Sequence, residues 1–457
     1  MLPSYPGCLE FQRNLARRHF IKAGALGVTG LGLADILKLQ ANSTNPSDFK
    51  NKSIIILWQR GGPSQHETWD PKPDAPQEYR GAFGATSTNI PGIQICDLLP
   101  KCAKMVDKFA ILRSLHHTDA GHSAGDQIMF TGYPPNKANP GINVHPSFGS
   151  IVSEQQQGLN PDLPPYVMIP RRLPGVDPAY LGPKYAPFET LADPATGGSF
   201  SIPSFEISNS LSFNRLDERK SLLSSFDNLR REVDNSGKME AVDKFSQQAF
   251  DILTSPKARE AFDLDAEDDQ VRERYGFMPE YKAPTPDRCG VPAWSQRMLL
   301  ARRLVESGVR VVTVDLRWWD THVKGYETMR DGFLPRWDMA YTALLEDLER
   351  RDLNDDVMVV AWGEFGRSPK LNSTDGRDHY PNVFSASISG GGIQGGRVIG
   401  ESDSKGAEPR ERPLQPQDVL ATMYRHLGID TDKQYLDFNG RPRPVLPFGE
   451  PIHELFS

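Results

Sequence analysis

Five short segments of the chain combine imidazole, carboxylate and hydroxyl groups that could bind a metal ion or carry out acid–base chemistry. They are GGPSQHETWDPKP (61–73), LHHTDAGHSAGDQ (115–127), DLRWWDTH (315–322), WGEFGRSP (362–369) and GRDHYP (376–381). Six of the ten histidines lie in these segments. Imidazole and carboxylate together form mixed nitrogen and oxygen sites for zinc, manganese or iron. Two such ions a few ångströms apart stabilise the attacking and leaving oxygens of phosphoryl-type transfer.

The first two segments offer metal ligands that also have ordinary structural interpretations. A lone histidine such as His66 is commonly a surface or hydrogen-bonded residue, and Asp70 before Pro71 could simply shape a turn. His116 and His117 cannot both face one point if they lie in a strand, because successive side chains alternate between its two faces. At most one of that pair is therefore expected in a site.

The third and fourth segments place acidic groups just after apolar runs. Asp320 and His322 share a face if the segment is extended, which favours joint metal binding. Glu364 follows a run of mostly buried residues, where an ionised carboxylate needs a partner. A metal ion would be one partner, and Arg367 would be another without any metal.

The remaining candidates lie in turns punctuated by glycine. His122 is flanked by glycines, which favours a functional position. Asp378 and His379 are adjacent, so they could form a metal-binding pair, or they could support other ligands or shape the turn. We expect them to bind a metal only if the other candidates converge on them.

The pattern of apolar and amphipathic stretches along the chain predicts an α/β fold. Apolar, β-branched runs predict four strands, and each ends in polar or ionisable residues. They lie in 52–73, where the run stops at Gly61, in 108–117, where His116 and His117 follow the strand, in 308–322 and in 356–369. Amphipathic patterns predict helices at 293–308 and 336–353, each leading directly into a strand. This alternation is typical of a doubly wound, mostly parallel sheet, in which ligands bind beyond the carboxyl ends of the strands.

The chain divides into an export signal, residues 1–42, and one α/β domain, residues 43–457. The highly charged stretch 211–285 has a helical pattern and is predicted to be a helical insertion at one edge of the sheet. The four cysteines show no CxxC spacing, so they indicate no zinc ribbon and at most two disulfides.

The N-terminal segment predicts export. Arg17 and Arg18 precede a weakly apolar, Gly- and Ala-rich run, which is similar to a twin-arginine export signal, although Ala16 stands where the pattern prefers Ser or Thr. An ordinary amphipathic helix is the alternative. The twin-arginine machinery exports folded proteins, which suits a chain that takes up a metal first. The predicted location is periplasmic or secreted.

Charge and hydropathy exclude two classes of partner. Residues 1–42 hold five Lys/Arg and two Asp/Glu, so the remainder has a net charge of about −10. This balance disfavours nucleic-acid binding, which requires a basic face. No later segment is apolar for long enough to cross a membrane.

The ordered segments resemble a known bacterial family. GGPSQHETWDPKP, HTDAGHSAGDQIMFTG, WDTH, WGEFGRSP and GRDHYP, behind a twin-arginine signal, look like the family called domain of unknown function 1501. The resemblance runs from about residue 17 to the end. That family is similar in fold to the alkaline phosphatase and sulfatase superfamily, in which metal ligands lie beyond the strand ends and a nucleophile begins a helix.

The resemblance implies roles for individual residues. His122 falls at the place of the nucleophile, with Ser123 beside it. The WDTH segment falls at the first Asp and His ligands, which implies Asp320 and His322. The RDHYP segment falls at the last histidine ligand, which implies His379.

The chain also departs from the superfamily pattern. The first strand ends in Trp58-Gln59-Arg60 rather than in a metal-binding Asp. Glu364 takes the acid position of an Asp-His pair, but Phe365 takes the histidine position. No cysteine stands at the nucleophile position, so the formylglycine mechanism of sulfatases is excluded. One metal, or an altered set of ligands, is therefore favoured over a full two-zinc site.

Together these features predict an exported, metal-dependent hydrolase acting on phosphate or sulfate esters, either small molecules or polysaccharides. The expected cofactor is one or two divalent metals, Zn, Mn, Ca or Mg. The expected catalytic residues are His122, Ser123 and Arg367, with Arg367 pairing with the substrate anion or with Glu364. The alternatives are a non-catalytic protein that binds an anionic glycan or a partner protein, and a phosphomutase-type enzyme. The expected metal ligands are Asp320, His322, Glu364, Asp378, His379, Asp70 and His66.

Overall fold

The computed structural model describes residues 49–194, 200–203, 255–277, 281 and 295–456. The predicted export signal at 1–42 lies outside the described residues, and so does most of the predicted helical insertion. The described part of that insertion, residues 255–277, contains two short helices. From residue 51 onward the chain forms one compact unit.

The strands and helices alternate along much of the chain. The strands are β1 (Ser53–Trp58), β2 (Ala85–Ser87), β3 (Gln94–Cys96), β4 (Phe109–Leu115), β5 (Tyr166–Ile169), β6 (Phe188–Glu189), β7 (Val311–Asp315), β8 (Val357–Trp362), β9 (Gly366–Arg367), β10 (His379–Tyr380), β11 (Phe384–Gly390), β12 (Arg397–Ile399), β13 (Glu401–Ser402), β14 (Pro409–Glu411), β15 (Gln434–Leu436) and β16 (Pro442–Pro444). The helices are α1 (Gln77–Arg80), α2 (Pro100–Ala103), α3 (His122–Thr131), α4 (Phe148–Gln155), α5 (Pro256–Phe262), α6 (Asp269–Tyr275), α7 (Ser295–Ser307), α8 (Gly325–Glu327), α9 (Leu334–Arg350) and α10 (Pro416–His426). A π-helical segment, Thr328–Phe333, joins α8 to α9.

Eight strands form the central sheet, in the order β12-β4-β11-β8-β1-β7-β5-β6. Strand β1 is parallel to both of its neighbours, and Trp58 lies opposite Asp315 on one side and Trp362 on the other. Strand β11 is antiparallel to β4 and to β8. The other pairings are parallel, which confirms the predicted mostly parallel sheet.

Helices cover both faces of the sheet. Alternate residues of β1 face opposite sides, as the pleat of a strand requires. Ile55 and Leu57 belong to a core that includes α7 and α9. Ile54 and Ile56 belong to a second core that includes α3, α4 and α10. A strand buried on both faces explains the continuous apolar run SIIILW, and the architecture confirms the predicted doubly wound α/β class.

The predicted helices at 293–308 and 336–353 correspond to α7 and α9. As predicted for 108–117, a strand that ends at Leu115 is followed by His116 and His117, which are therefore not constrained by its alternation. Cys96 and Cys102 are buried free thiols. Among the described helices, none combines the length and apolar character needed to cross a membrane.

Candidate metal centre

Three adjacent parallel strands deliver polar side chains to one edge of the sheet. Trp58, Asp315 and Trp362 are the last residues of β1, β7 and β8, and they lie side by side in the sheet. The chain beyond β7 carries Asp320 and His322, and the chain beyond β8 carries Glu364 and Arg367. The carboxyl ends of neighbouring parallel strands therefore bring these groups together, as expected for an open α/β sheet.

Three histidines surround the Asp320 carboxylate with their Nε2 atoms. His322 Nε2 lies 2.9 Å from Asp320 Oδ1, and His379 Nε2 lies 3.0 Å from the same oxygen. His122 Nε2 lies 3.3 Å from Asp320 Oδ2. The two nitrogens His322 Nε2 and His379 Nε2 are 3.0 Å apart. His122, Asp320 and His379 each offer a donor atom within 4.8 Å of the others, which makes a possible His/Asp/His metal site.

Each of the three rings has an oxygen acceptor at its other nitrogen. His122 Nδ1 lies 2.5 Å from Glu364 Oε1, and His322 Nδ1 lies 2.9 Å from Asp378 Oδ1. His379 Nδ1 lies 2.8 Å from the backbone oxygen of Ala120. A carbonyl oxygen and an ionised carboxylate can only accept, so these oxygens suit the tautomer in which each neutral ring carries its proton on Nδ1 and leaves Nε2 free to bind a metal. The lone pairs of all three rings then lie on the Nε2 atoms that face Asp320.

This arrangement favours positive charge at its centre. With protons on Nδ1, the 3.0 Å approach of His322 Nε2 to His379 Nε2 sets two lone pairs against each other. A bound cation removes that repulsion. Donors about 2.0–2.1 Å from a tetrahedral zinc lie about 3.3 Å apart, close to the separations observed around Asp320. The donor set of His122, Asp320 and His379 fits one divalent metal ion, and His322 Nε2 adjoins it next to Asp320 and His379.

The pKa values of the cluster also favour positive charge next to Asp320. Burial opposes the charged form of His122, but the hydrogen bonds to Asp320 and Glu364 raise its pKa to about 9. The hydrogen bond to Asp320 also raises the pKa of His322. Burial disfavours the ionised form of Asp320, but the three histidines and the Arg367 charge hold its pKa well below the usual value. In the absence of metal, protons therefore supply the positive charge.

Glu364 lies behind His122. Its side chain is fully buried, and Oε1 also accepts a hydrogen bond of 2.8 Å from the amide of Gly61. Glu364 Oε2 has no hydrogen-bond partner. An outer carboxylate of this kind fixes the tautomer and orientation of a metal-binding imidazole. Glu364 was predicted as a direct ligand, but its contacts place it in support of His122.

Asp378 occupies the corresponding position behind His322. Its side chain is 61 % exposed, and Oδ1 also accepts a hydrogen bond of 3.2 Å from Asn372. The two residues of the predicted pair, Asp378 and His379, therefore make different contacts. His379 faces Asp320, whereas Asp378 supports a histidine from the chain beyond β7.

Arg367 binds Asp320 from within the protein. Its side chain is fully buried, and Nη2 lies 2.6 Å from Asp320 Oδ1. Its other guanidinium nitrogens donate to the backbone oxygens of Gly62 and Arg377. A Cβ atom on Gly61 would lie 2.5 Å from the backbone nitrogen of Asp320, so only glycine allows this close approach. The predicted pairing of Arg367 with a substrate anion or with Glu364 is replaced by a pairing with Asp320.

The structure does not bring His66 and Asp70 to Asp320. His66 Nε2 lies 2.9 Å from the backbone oxygen of Lys405, and burial, followed by the Arg377 charge, lowers its pKa to about 4. Asp70 receives a short hydrogen bond from Ser402. Both residues lie in the loop after β1, but that loop packs them against the segment 402–406, which the sequence gave no reason to expect.

Ser123 is the second residue of α3, directly after His122. The helix begins after Gly121, whose backbone oxygen accepts from the amide of Gly125. The amides of the first helical turn have no partner within the helix, so they attract negative charge. Among the described residues, the Ser123 hydroxyl forms no hydrogen bond. His122, by contrast, is engaged at both ring nitrogens, so Ser123 is the better candidate nucleophile of the two.

Arg60 is a cation next to the cluster that was not predicted as a site residue. Its guanidinium carbon lies 4.3 Å from the centroid of the Trp318 ring, and that ring lies 5.7 Å from the His122 ring. The nearest carboxylate oxygen, on Asp126, is 3.7 Å from Arg60 Nε. Burial, followed by the Glu364 charge, raises the pKa of Asp126 well above its usual value. The position of Arg60 at the end of the first predicted strand, where polar site residues are expected, could have identified it as a site residue from the sequence.

Comparison with known proteins decides the family. A family model described as "Protein of unknown function (DUF1501)" matches residues 51–456. The chain belongs to this family. No curated protein matches this DUF1501 member.

Several solved structures are similar to this DUF1501 member at low sequence identity. The sulfatase PsFucS1 from Pseudoalteromonas sp. is 12 % identical, with 90 % of this chain and 74 % of that chain covered and a TM-score of 0.35. The phosphonate monoester hydrolase SpPMH from Silicibacter pomeroyi is 11 % identical, with coverage of 88 % and 76 % and a TM-score of 0.34. Ps i-CgsB in complex with k-i-k-neocarrahexaose is 8 % identical, with coverage of 83 % and 72 % and a TM-score of 0.37.

Proposed function

We propose that this DUF1501 protein binds one divalent metal ion and hydrolyses a phosphate or sulfate ester. The ion would be held by His122, His322 and His379 through Nε2 and by Asp320 through its carboxylate. The observation that carries the proposal is the convergence of three Nε2 atoms on one carboxylate, with an acceptor behind each ring. An imidazole-rich site suits zinc or manganese better than calcium or magnesium, which prefer oxygen ligands.

The net charge of the cluster supports a divalent ion. Asp320, Glu364 and Asp378 contribute three negative charges, and Arg367 contributes one positive charge. With the three rings neutral, two negative charges remain to be balanced. A metal bound there would polarise an ester oxygen and stabilise the charge that develops on it.

The surroundings of the cluster support an anionic substrate. Arg60 is 11 % exposed at its side chain, and the carboxyl group near it, on Asp126, has a raised pKa that weakens it as a counter-charge. The free amides at the start of α3 point to the same conclusion, because a helix N-terminus is a favourable place for a phosphate or sulfate group. Ser123, at that N-terminus, would supply the attacking hydroxyl.

The test combines metal content with turnover. Purified protein is analysed for bound metals and then assayed, with added zinc, manganese, calcium or magnesium, on phenyl phosphate and phenyl sulfate. We expect about one equivalent of zinc or manganese and metal-dependent release of phenol. A protein that neither retains nor takes up any of these ions, and releases no phenol, would contradict the proposal.

A second function, anion binding without catalysis, is favoured by one observation. Arg367 already provides Asp320 with a counter-charge at 2.6 Å, so the carboxylate is partly neutralised without a metal. Under this alternative the metal-free protein would bind phosphate or sulfate and would turn over neither ester. Calorimetric titration of chelator-treated protein with each anion separates the two functions.

We also propose that the protein is exported by the twin-arginine machinery and acts in the periplasm or outside the cell. Arg17 and Arg18 in the N-terminal segment support this proposal.

A further inference from the structure

A cavity of about 370 Å³ lies beside the metal centre. His117 and Asp119 line it, and they belong to the turn that connects β4 to α3. His117 Nε2 also lies 2.5 Å from the backbone oxygen of Glu364, and Ala120, in the same turn, contacts His379. One turn therefore contributes to both the cavity and the metal centre.

Helix α3 runs from the metal centre to the cavity. His122 begins the helix and faces Asp320, whereas Ile128 lines the cavity. Six residues of α-helix rise about 9 Å. Ile128 therefore lies at the far end of the cavity, whereas His117 and Asp119 line the end next to His122, where the alcohol part of an ester bound at the metal centre would enter.

One wall of the cavity is apolar and rigid. It includes Ile128, Tyr133, Pro134 and Pro135. The Tyr133 ring stacks on the His145 ring at a centroid distance of 3.8 Å and an interplanar angle of 4°. The Tyr133 hydroxyl donates a hydrogen bond of 2.5 Å to the backbone oxygen of Pro444, so the ring is held in place. Flat apolar surfaces of this kind pack against the faces of a ring.

Phe448 completes the wall and is 54 % exposed. An exposed aromatic side chain at the edge of a concave site keeps apolar surface in contact with water, which is unfavourable, and a bound ligand would cover that surface. The opposite side of the cavity is polar and includes Lys137 and Gln415. No carboxylate among the described residues pairs with Lys137, so its ammonium group is available to a ligand. A volume near 370 Å³ falls in the lower part of the range for small-molecule sites.

We propose that this cavity binds the alcohol part of the substrate ester and that this alcohol is cyclic. The identification of the ligand as an ester rests on the proposed function, whereas the preference for a ring rests on the cavity alone. Apolar walls stack on the faces of the ring, and the polar side contacts its substituents. The cavity thereby selects esters of ring-shaped alcohols over esters of small open-chain alcohols.

The experiment compares non-hydrolysable ligands that differ only in the group facing the cavity. Cyclohexylphosphonate and methylphosphonate are titrated into metal-loaded protein by calorimetry, and cyclohexanesulfonate and methanesulfonate form the sulfate-like pair. We expect the cyclohexyl compound of at least one pair to bind at least tenfold more tightly than its methyl counterpart. Phe448→Ala should reduce that ratio to less than threefold.

Phe277→Ala is the matched control, because Phe277 is also an exposed aromatic residue, at 57 %, and it does not line the cavity. The control should retain the preference. Equal binding of the methyl and cyclohexyl compounds, no binding of either, or a preference that survives Phe448→Ala would overturn the cavity proposal. Ring-selective binding without turnover of any ester would instead overturn the proposed hydrolysis and leave the cavity proposal standing.

Discussion

His322 and His379 hold their Nε2 atoms 3.0 Å apart, although the Nδ1 atom of each ring faces an oxygen acceptor. Two neutral imidazoles that both carry their proton on Nδ1 repel each other in this arrangement. The residues come from different parts of the chain, beyond β7 and in β10, so no local constraint forces the contact. A cation between the rings would turn the repulsion into joint coordination, and this is the physical basis for the proposed metal centre.

Removal of one nitrogen donor should abolish metal retention. In His379→Ala, the metal loses one of four proposed ligands, so we expect affinity to fall by more than about 100-fold, beyond the loss typical for an outer-shell residue. Competition with a fluorescent chelator measures the change. His453→Ala removes a histidine at the protein surface and should bind metal normally. Equal affinity of the two variants would contradict the proposed ligand set.

Asp378→Asn tests the carboxylate behind His322. An amide cannot attract the Nδ1 proton as strongly as a carboxylate, so His322 becomes a weaker donor. We expect metal affinity to fall by about 10- to 100-fold, in the range for outer-shell partners of metal-binding histidines. Asp375→Asn makes the same chemical change at an exposed residue three positions earlier. If both variants bind metal as the unmodified protein does, Asp378 does not support the centre.

Ser123→Ala tests the nucleophile separately from the metal. The side chain makes no hydrogen bond with the described residues, so its removal should leave folding and metal content intact. We expect kcat for phenyl phosphate or phenyl sulfate, whichever is the substrate, to fall by at least about 100-fold. Ser373→Ala, at an exposed position, is the control. Retention of full kcat would show that another group, or a water molecule, attacks the ester.

The buried His426 should make the fold sensitive to mild acid. Burial, followed by the Lys52 charge, lowers the pKa of His426 to about 4, and the ring contacts the backbone oxygens of Ser53 and Asp356 at 3.1 Å. Because the folded-state pKa lies below the unfolded value of about 6.5, the stability contribution is present above pH 6.5 and is lost as the pH falls towards 4. Between pH 7 and pH 5 the expected loss is about 2 kcal/mol.

Urea unfolding of His426→Gln at both pH values measures that contribution. Glutamine keeps a hydrogen-bond donor but does not titrate, so the variant should lose about 2 kcal/mol less stability between pH 7 and pH 5 than the unmodified protein. His453→Gln should keep the original pH dependence, and it controls for any loss of metal in acid. Identical pH dependence in all three proteins would refute the role of His426.

The twin-arginine signal predicts a defined export defect. Substitution of Arg17 and Arg18 together by lysine preserves charge but removes the guanidinium pair, so we expect the protein to accumulate in the cytoplasm. Cell fractionation followed by immunoblotting provides the measurement. Arg13→Lys, outside the pair, should be exported normally. Undiminished export of the double variant would refute the proposed route.

The architecture was accessible from the sequence because it depends on local patterns. The run SIIILW predicted a strand buried on both faces, and β1 is such a strand. The amphipathic patterns at 293–308 and 336–353 predicted α7 and α9. The antiparallel orientation of β11 was not predicted, because pairing direction is set by long connections that leave no periodic signal.

The site was predictable in composition but not in detail. Asp320, His322 and His379 were expected together because strand ends converge. Whether Glu364 binds metal or supports His122 depends on a contact between residues 242 positions apart, which no local pattern encodes. The same is true of His66 and Asp70, whose loop folds onto the segment 402–406. The resemblance to a known family placed His122 at the position of the nucleophile, and in the structure His122 lies next to Asp320.

The proposed donors lie at positions 122, 320, 322 and 379, in three segments that are far apart in the chain. An ion with this coordination can be captured only after those segments have met, which makes loading one of the last events on the folding pathway. An occupied site would then show that these three segments have come together. Under the proposed twin-arginine export, which moves folded proteins, the metal would be bound before the protein crosses the membrane.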